Sequence, residues 1–172
     1  MHGVCMRFDW LAFGKWPIDG DRSWRGRRVF GHSKTWRGPL LVAAGAAAVW
    51  SFQQRVLHDV PALAALELVD YQTLPGVWFG ALAGFVAELG ELPNSFVKRR
   101  LGIGPGETAR GPLAVVFYLW DQLDVVLGYW LVIACVVPPT WLGLATSLVV
   151  GTAIHPLLTV IGYGLGVRPT AR

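Results

Sequence analysis

Apolar residues in this chain run in long stretches rather than along one face of a repeat. Four stretches stand out: 39–57, 74–89, Pro112 to Val137 and Trp141 to Val167. A helix that is apolar on all sides is buried in a protein core or in a membrane, and a hydrocarbon layer of about 30 Å takes about 20 helical residues. Apolar runs of this kind, separated by polar connections, predict an all-α integral membrane protein, a polytopic bundle of about four transmembrane helices. The second stretch is short and carries Gly76, Gly80 and Gly84 at four-residue spacing. That spacing either lets a neighbouring helix approach closely or merely softens the helix. The fourth is interrupted by His155-Pro156, and the missing backbone donor of the proline predicts a break or kink there.

Composition agrees with this picture. Of 172 residues, 53% are apolar and 15% are charged, against about 25% charged in an average soluble domain. So little charge rules out a disordered tail and argues against a soluble enzyme. Nine tryptophans, several beside predicted span ends, fit an interfacial belt. Cys5 and Cys135 form no disulfide framework and read as free thiols in a reducing compartment or in lipid. The first 38 residues hold no apolar run of secretory-signal length.

The few charges are unevenly placed. Eight bases precede the first stretch, Lys98, Arg99, Arg100 and Arg110 lie between the second and third, and Arg168 and Arg172 follow the fourth. Arg55 alone falls on the other side, among Asp59, Glu67 and Asp70. Positive charge collects on the cytoplasmic side of membrane proteins. Both termini and the segment 90–111 are therefore expected in the cytoplasm. The expected organisation is one membrane domain over 1–172: a basic segment 1–38, a bundle 39–167 carrying the cytoplasmic loop 90–111, and a tail 168–172.

Four acids lie where apolar runs make them costly: Glu88 and Glu91 at the end of the second stretch, and Asp121 and Asp124 inside the third. A carboxylate in hydrocarbon costs on the order of 3 kcal/mol and usually marks function. Asp121 and Asp124, three apart, share one helix face and repel unless a cation or a base neutralises them. A divalent cation such as Mg²⁺ suits paired carboxylates and phosphate oxygens; a salt bridge to the basic segments serves equally well at this point. Two basic clusters share that membrane face, one from Arg25 to Gly38 and one from Asn94 to Arg100 followed by Gly102, Gly104 and Gly106. Bases, hydroxyls and free glycine amides are what phosphate binding requires, although bases beside a membrane also serve orientation and headgroup attraction alone. Phosphoryl-group chemistry needs positioning and charge stabilisation more than a protein nucleophile, and no serine or cysteine nucleophile with a base is evident. His32 and His155 read as a loop residue and an interhelical hydrogen bonder.

At these residues the chain resembles the membrane cytidylyltransferases, and most closely the CDP-archaeol synthase family. The resemblance covers about 17–165 and rests on Pro17-Ile18-Asp19, Gly31-His-Ser-Lys-Thr-Trp-Arg-Gly38, Gly90-Glu91-Leu-Pro-Asn-Ser95-Phe-Val-Lys98-Arg99-Arg100 and Asp121-Gln122-Leu123-Asp124. The last string is similar to the Asp-Arg-x-Asp of bacterial CDP-diacylglycerol synthases. The resemblance implies a Mg²⁺-dependent enzyme that joins CTP to a lipid phosphate, leaving a CDP-lipid and releasing pyrophosphate. In this family the lipid is a di-geranylgeranyl ether of glycerol phosphate; a phosphatidic-acid-like lipid is the alternative. By motif, Asp121 and Asp124 would hold the metal with Glu91, and Lys98 would act with them in catalysis. Lys34, Thr35 and Arg37 would face phosphates, and Ser95, Arg99 and Arg100 would complete the phosphate site. Two features depart from the family pattern. Glu91 stands where an aspartate is usual, one methylene longer. The family also has five spans, one of them before the Pro-Ile-Asp segment, so that span is expected to be missing or to lie upstream of Met1. A small ion or solute transporter and a catalytically silent lipid-binding relative are the rival readings.

Overall fold

A computed structural model describes residues 12–60, 62 and 74–164. Five helices account for most of it: α1 (Arg37–Asp59), α2 (Gly76–Leu89), α3 (Glu91–Arg100), α4 (Pro112–Ile133) and α5 (Trp141–Gly164). A short 3-10 turn (Ala12–Lys15) and two antiparallel strands of two residues, β1 (Ser23–Trp24) and β2 (Arg27–Arg28), precede them. The hairpin and an isolated bridge between Pro17 and Thr35 are the β features among the described residues. Its turn has Arg25 and Gly26 at φ 52° and 74°, the left-handed pair that two-residue hairpin turns favour.

The four apolar stretches correspond to α1, α2, α4 and α5. α4 stops at Ile133, four residues before the expected Val137. α5 continues through His155-Pro156 to Gly164, so the proline does not end the helix. An apolar helix tolerates an internal proline where neighbouring groups satisfy the freed carbonyl. The side chains of His155 and Pro156, and residues 165–167, lie outside the described set. By length and composition one described helix, Pro112–Ile133, is sufficient to cross a membrane; the apolar part of α5, Trp141–Ile154, is shorter.

The glycine spacing on α2 is a close-approach surface. A Cβ on Gly80 would stand 2.7 Å from Trp50 Cβ, and one on Gly84 would stand 2.6 Å from Ala46 Cβ. Carbon atoms pack at about 3.5–4.0 Å, so only hydrogen fits at these two positions. Behind this contact sits the core of Trp50, Phe79, Ala83, Val132 and Ile133. Trp50 meets Phe79 edge-on at 4.9 Å between ring centroids, and its Nε1 donates to the Tyr129 hydroxyl at 3.0 Å. A third glycine, Gly128, brings α4 against α2, where a Cβ would lie 2.9 Å from Ala87 Cα.

The segment 90–111, expected as a loop, begins with α3 instead. Gly90 closes α2 and opens α3 in helical geometry, φ −56° and ψ −24°. Pro93 falls in the first turn of α3, where its missing N–H has no intrahelical partner to lose. Glu91 in that turn and Lys98, Arg99 and Arg100 in the last turn complement the helix dipole at both ends. α3 packs on α4, and this contact builds the site.

Candidate active site

α3 turns Asn94 and Ser95 inward, and both are buried. α4 presents Asp121, Gln122 and Asp124 opposite them. An extended segment completes the site. Ile18 N–H donates to Lys34 C=O at 3.0 Å, Trp36 N–H donates to Trp16 C=O at 3.1 Å, and Pro17 bridges Thr35. This pairing presents Lys34 to α3. The result is a pocket of about 520 Å³. Lys34, Glu91, Ser95, Lys98, Arg99, Asp121 and Asp124 line it, together with Gly104 and Gly106 and the apolar Val125, Val126 and Gly151.

Each carboxylate in the pocket has a partner. Lys34 Nζ pairs with Glu91 Oε2. Lys98 Nζ reaches both Asp121 oxygens, at 2.5 and 2.8 Å. The Asn94 amide nitrogen donates to Asp121 Oδ1 at 2.5 Å and to Asp124 Oδ2 at 2.9 Å, and Val125 N–H donates to Asp124 Oδ1 at 2.8 Å. Lys98 Nζ also lies 5.4 Å from the Phe117 ring centroid, a cation–π contact that holds the ammonium over the acid pair. Glu88 takes another place, its Oε1 where a Cβ on Gly38 would stand 2.7 Å away, at the first turn of α1.

The remaining bases of the two clusters are turned elsewhere. The Arg100 guanidinium donates to the carbonyls of Trp24, Arg27 (3.1 Å) and Arg28 (2.6 Å). Arg27 donates back to the carbonyls of Arg99 and Arg100, at 3.2 and 2.9 Å. These bonds tie the hairpin to the end of α3. Arg99 donates to Phe30 C=O at 3.2 Å and to Ile103 C=O, while still lining the pocket. Burial lowers its pKa, and Glu107 opposes that shift. Arg37, the first residue of α1, is buried, and neither it nor Thr35 lines the pocket. The structure therefore brings Lys34, Glu91, Ser95, Lys98, Arg99, Asp121 and Asp124 together, and sets Thr35, Arg37 and Arg100 in the frame around them.

Two residues carry more than their sequence position indicated. Asp19 accepts from Arg28 (2.6 and 3.3 Å) and from the amides of Phe30 and Gly31 (3.1 and 3.4 Å). Burial alone would raise its pKa, but the Arg28 hydrogen bond, the Phe30 amide and the Arg28 charge bring it below the ordinary value. Asp19 thereby folds the segment that delivers Lys34. Asn94 is the other. It stands at the head of the second basic cluster, but an uncharged amide gives no signal of a role.

The donor set decides which cation the pocket suits. Asp121 and Asp124 offer hard oxygens aimed at one point, whereas Glu91 faces Lys34. Among the described residues no three of His, Cys, Asp and Glu form a ligand group. The Asn94 carbonyl oxygen is buried and has no hydrogen-bond partner. Oxygen donors of this kind, few in number, would suit Mg²⁺, which typically takes one or two carboxylates and completes its shell from substrate and water.

A family model described as CarS-like, CDP-archaeol synthase, matches residues 5–171. The chain belongs to the CDP-archaeol synthase family. Among curated proteins, CDP-archaeol synthase of Halobacterium salinarum is 37% identical over 165 residues, covering 92% of this chain and 84% of the relative. CDP-archaeol synthase of Methanoculleus marisnigri is 34% identical over 171 residues, covering 92% and 90%. That of Methanococcoides burtonii is 33% identical over 170 residues, covering 92% and 91%. No solved structure matches the chain significantly. With the rest of the CDP-archaeol synthase family it is an enzyme, a CTP-dependent cytidylyltransferase of lipid biosynthesis.

Proposed function

We propose that this chain transfers the cytidylyl group of CTP to the phosphate of an archaeal-type ether glycerolipid within a membrane, forming a CDP-lipid. The observation that carries this reading is the pocket itself. Two ammonium groups, an acid pair and a buried amide line it together with the apolar Val125, Val126 and Gly151. The polar lining suits a triphosphate and a lipid headgroup, and the apolar residues of α4, the helix long enough to cross a membrane, suit the start of a lipid chain.

An oxygen of the lipid phosphate attacks the α-phosphorus of CTP. The bond from that phosphorus to the bridging oxygen of the β-phosphate breaks, and pyrophosphate leaves with the electron pair. Lys34 and Lys98 exchange their carboxylate partners for phosphate oxygens, placing positive charge where negative charge develops. Ser95 and Arg99 add donors at the same wall. Asp121 and Asp124 would hold Mg²⁺, joined by Glu91 once Lys34 has turned to phosphate. Bound there, Mg²⁺ would supply charge neutralisation between phosphate oxygens. Arg100, Arg37 and Thr35 keep the hairpin, α1 and the Lys34 segment in register. The exposed apolar side chains of α4 and α5, such as Leu131, Leu142 and Val149, face lipid. The basic side of the pocket faces the cytoplasm in this reading, which the distribution of bases supports.

The test uses purified chain, CTP labelled at the α-phosphate, Mg²⁺ and two lipid phosphates of equal chain length, one diether and one diacyl. Label should pass into the organic phase with the diether lipid. Transfer to the diacyl lipid alone would overturn the choice of substrate, and transfer to neither would overturn the activity.

A further inference from the structure

Asn94 lies inside one of the strings that carry the family resemblance, but neither charge pattern nor the resemblance gives it a role. It is 2% exposed, lies on α3, and points its amide at α4. Its single Nδ2 donates to Asp121 Oδ1 at 2.5 Å and to Asp124 Oδ2 at 2.9 Å. Two oxygens from different residues are thus aimed at one atom. The amide end that faces α4 is therefore within reach of both carboxylates.

An asparagine amide has two faces, a donating NH₂ and an accepting carbonyl. Facing an oxygen from each of two carboxylates, the amide turns its NH₂ end to them. With a divalent cation between those carboxylates, the preference reverses, and the carbonyl becomes a hard oxygen ligand. A half-turn about Cβ–Cγ exchanges the two ends. Asn94 Oδ1 is buried and has no hydrogen-bond partner, so no bond on that side opposes the turn. The turn exchanges one unmet buried atom for another, and the cation's attraction for the carbonyl is what drives it. Until phosphate draws Lys34 away, Glu91 stays paired with it and does not serve the acid pair.

We propose that Asn94 is a two-state amide: it holds Asp121 and Asp124 aimed at a common point, and turns its carbonyl oxygen onto the divalent cation as a third protein ligand. The inference rests on the proposed reading that Asp121 and Asp124 hold the cation.

Asn94 is the only asparagine in the 172-residue sequence, so protein made with [¹³C,¹⁵N]asparagine is labelled at this residue alone. The full chain in detergent is titrated with Mn²⁺, without nucleotide, and bound Mn²⁺ is examined by electron–nuclear double resonance. The expected result is a ¹³C coupling of the size given by a ligating carbonyl. In Asn94→Leu, Mn²⁺ affinity should fall about tenfold or more, with thermal unfolding confirming that the variant is folded. If Mn²⁺ binding is lost in Asp121→Asn and Asp124→Asn but wild-type protein shows no ligand-sized ¹³C coupling, the acid-pair reading survives and Asn94 is only a hydrogen-bond clamp, which overturns the proposal. If Mn²⁺ fails to bind wild type, or binds equally well in both aspartate variants, the acid-pair reading and the proposal fall together.

Discussion

Replacing Arg100 by lysine separates two roles for the basic cluster. The family resemblance places Arg100 against phosphate, whereas its guanidinium in the structure donates to three backbone carbonyls, of Trp24, Arg27 and Arg28. Lysine keeps the charge but lacks the planar fork that reaches several acceptors at once. A hydrogen bond from a charged group contributes about 1.5–3 kcal/mol when buried. Two of these three bonds lie at exposed positions and contribute less, so Arg100→Lys should destabilise the chain by about 2 kcal/mol. For a chain of this size that lowers the thermal midpoint by about 4–8 °C. The KM for CTP should change little, because Arg100 is absent from the pocket lining. Thermal unfolding and steady-state kinetics on one preparation read both quantities. An unchanged midpoint with a loss of about 10²–10³ in kcat would show that Arg100 touches the reacting phosphates, and would refute this reasoning.

Other consequences are as direct. Gly80→Ala puts a methyl group 2.7 Å from Trp50 Cβ and 2.8 Å from Ala46 C=O, and should cost about 1–3 kcal/mol of stability in a thermal melt. A double-mutant cycle on Lys34 and Glu91, whose side chains are 23% and 29% exposed, should give a coupling of about 0.5–3 kcal/mol in unfolding free energy, and additivity would show that the pair is not formed. Asp19 has a lowered folded pKa, so its stabilising effect is present above the unfolded value and is lost as pH falls through the folded one. Asp19→Asn should therefore flatten the fall in thermal midpoint below about pH 4, and an unchanged acid profile would remove Asp19 as an anchor. Asp124→Asn should lower cytidylyl transfer by about 10²-fold or more, with the melt close to wild type.

Much of the scaffold was legible because apolar runs need no context. The positions of α1, α2, α4 and α5 follow from stretches that no soluble surface would tolerate. The meeting of Lys34, Glu91, Lys98, Asp121 and Asp124 was legible as one of two readings, since bases beside apolar segments also serve orientation and headgroup attraction. α3 escaped because its signals are polar: a short segment with Pro93 and three consecutive bases looks like a loop until α4 is there to bury Asn94 and Ser95. Arg99 and Arg100 were ambiguous in principle. A guanidinium bonds phosphate oxygens and backbone carbonyls by the same geometry, and only the position of the β1–β2 hairpin decides between them. The glycines of α2 were equally ambiguous until Ala46 and Trp50 of α1 stood opposite. Asn94 was invisible to any reading based on charge.

The central claim is transfer of the cytidylyl group itself, and the position of the label tests it most directly. Two parallel reactions with the purified chain, Mg²⁺ and the diether lipid phosphate use CTP labelled at the α-phosphate in one and at the γ-phosphate in the other. The account predicts α-label in the lipid, γ-label only in pyrophosphate, and loss of both signals in Asp121→Asn. Recovery of γ-label in the lipid, or transfer that is undiminished in Asp121→Asn, would contradict it.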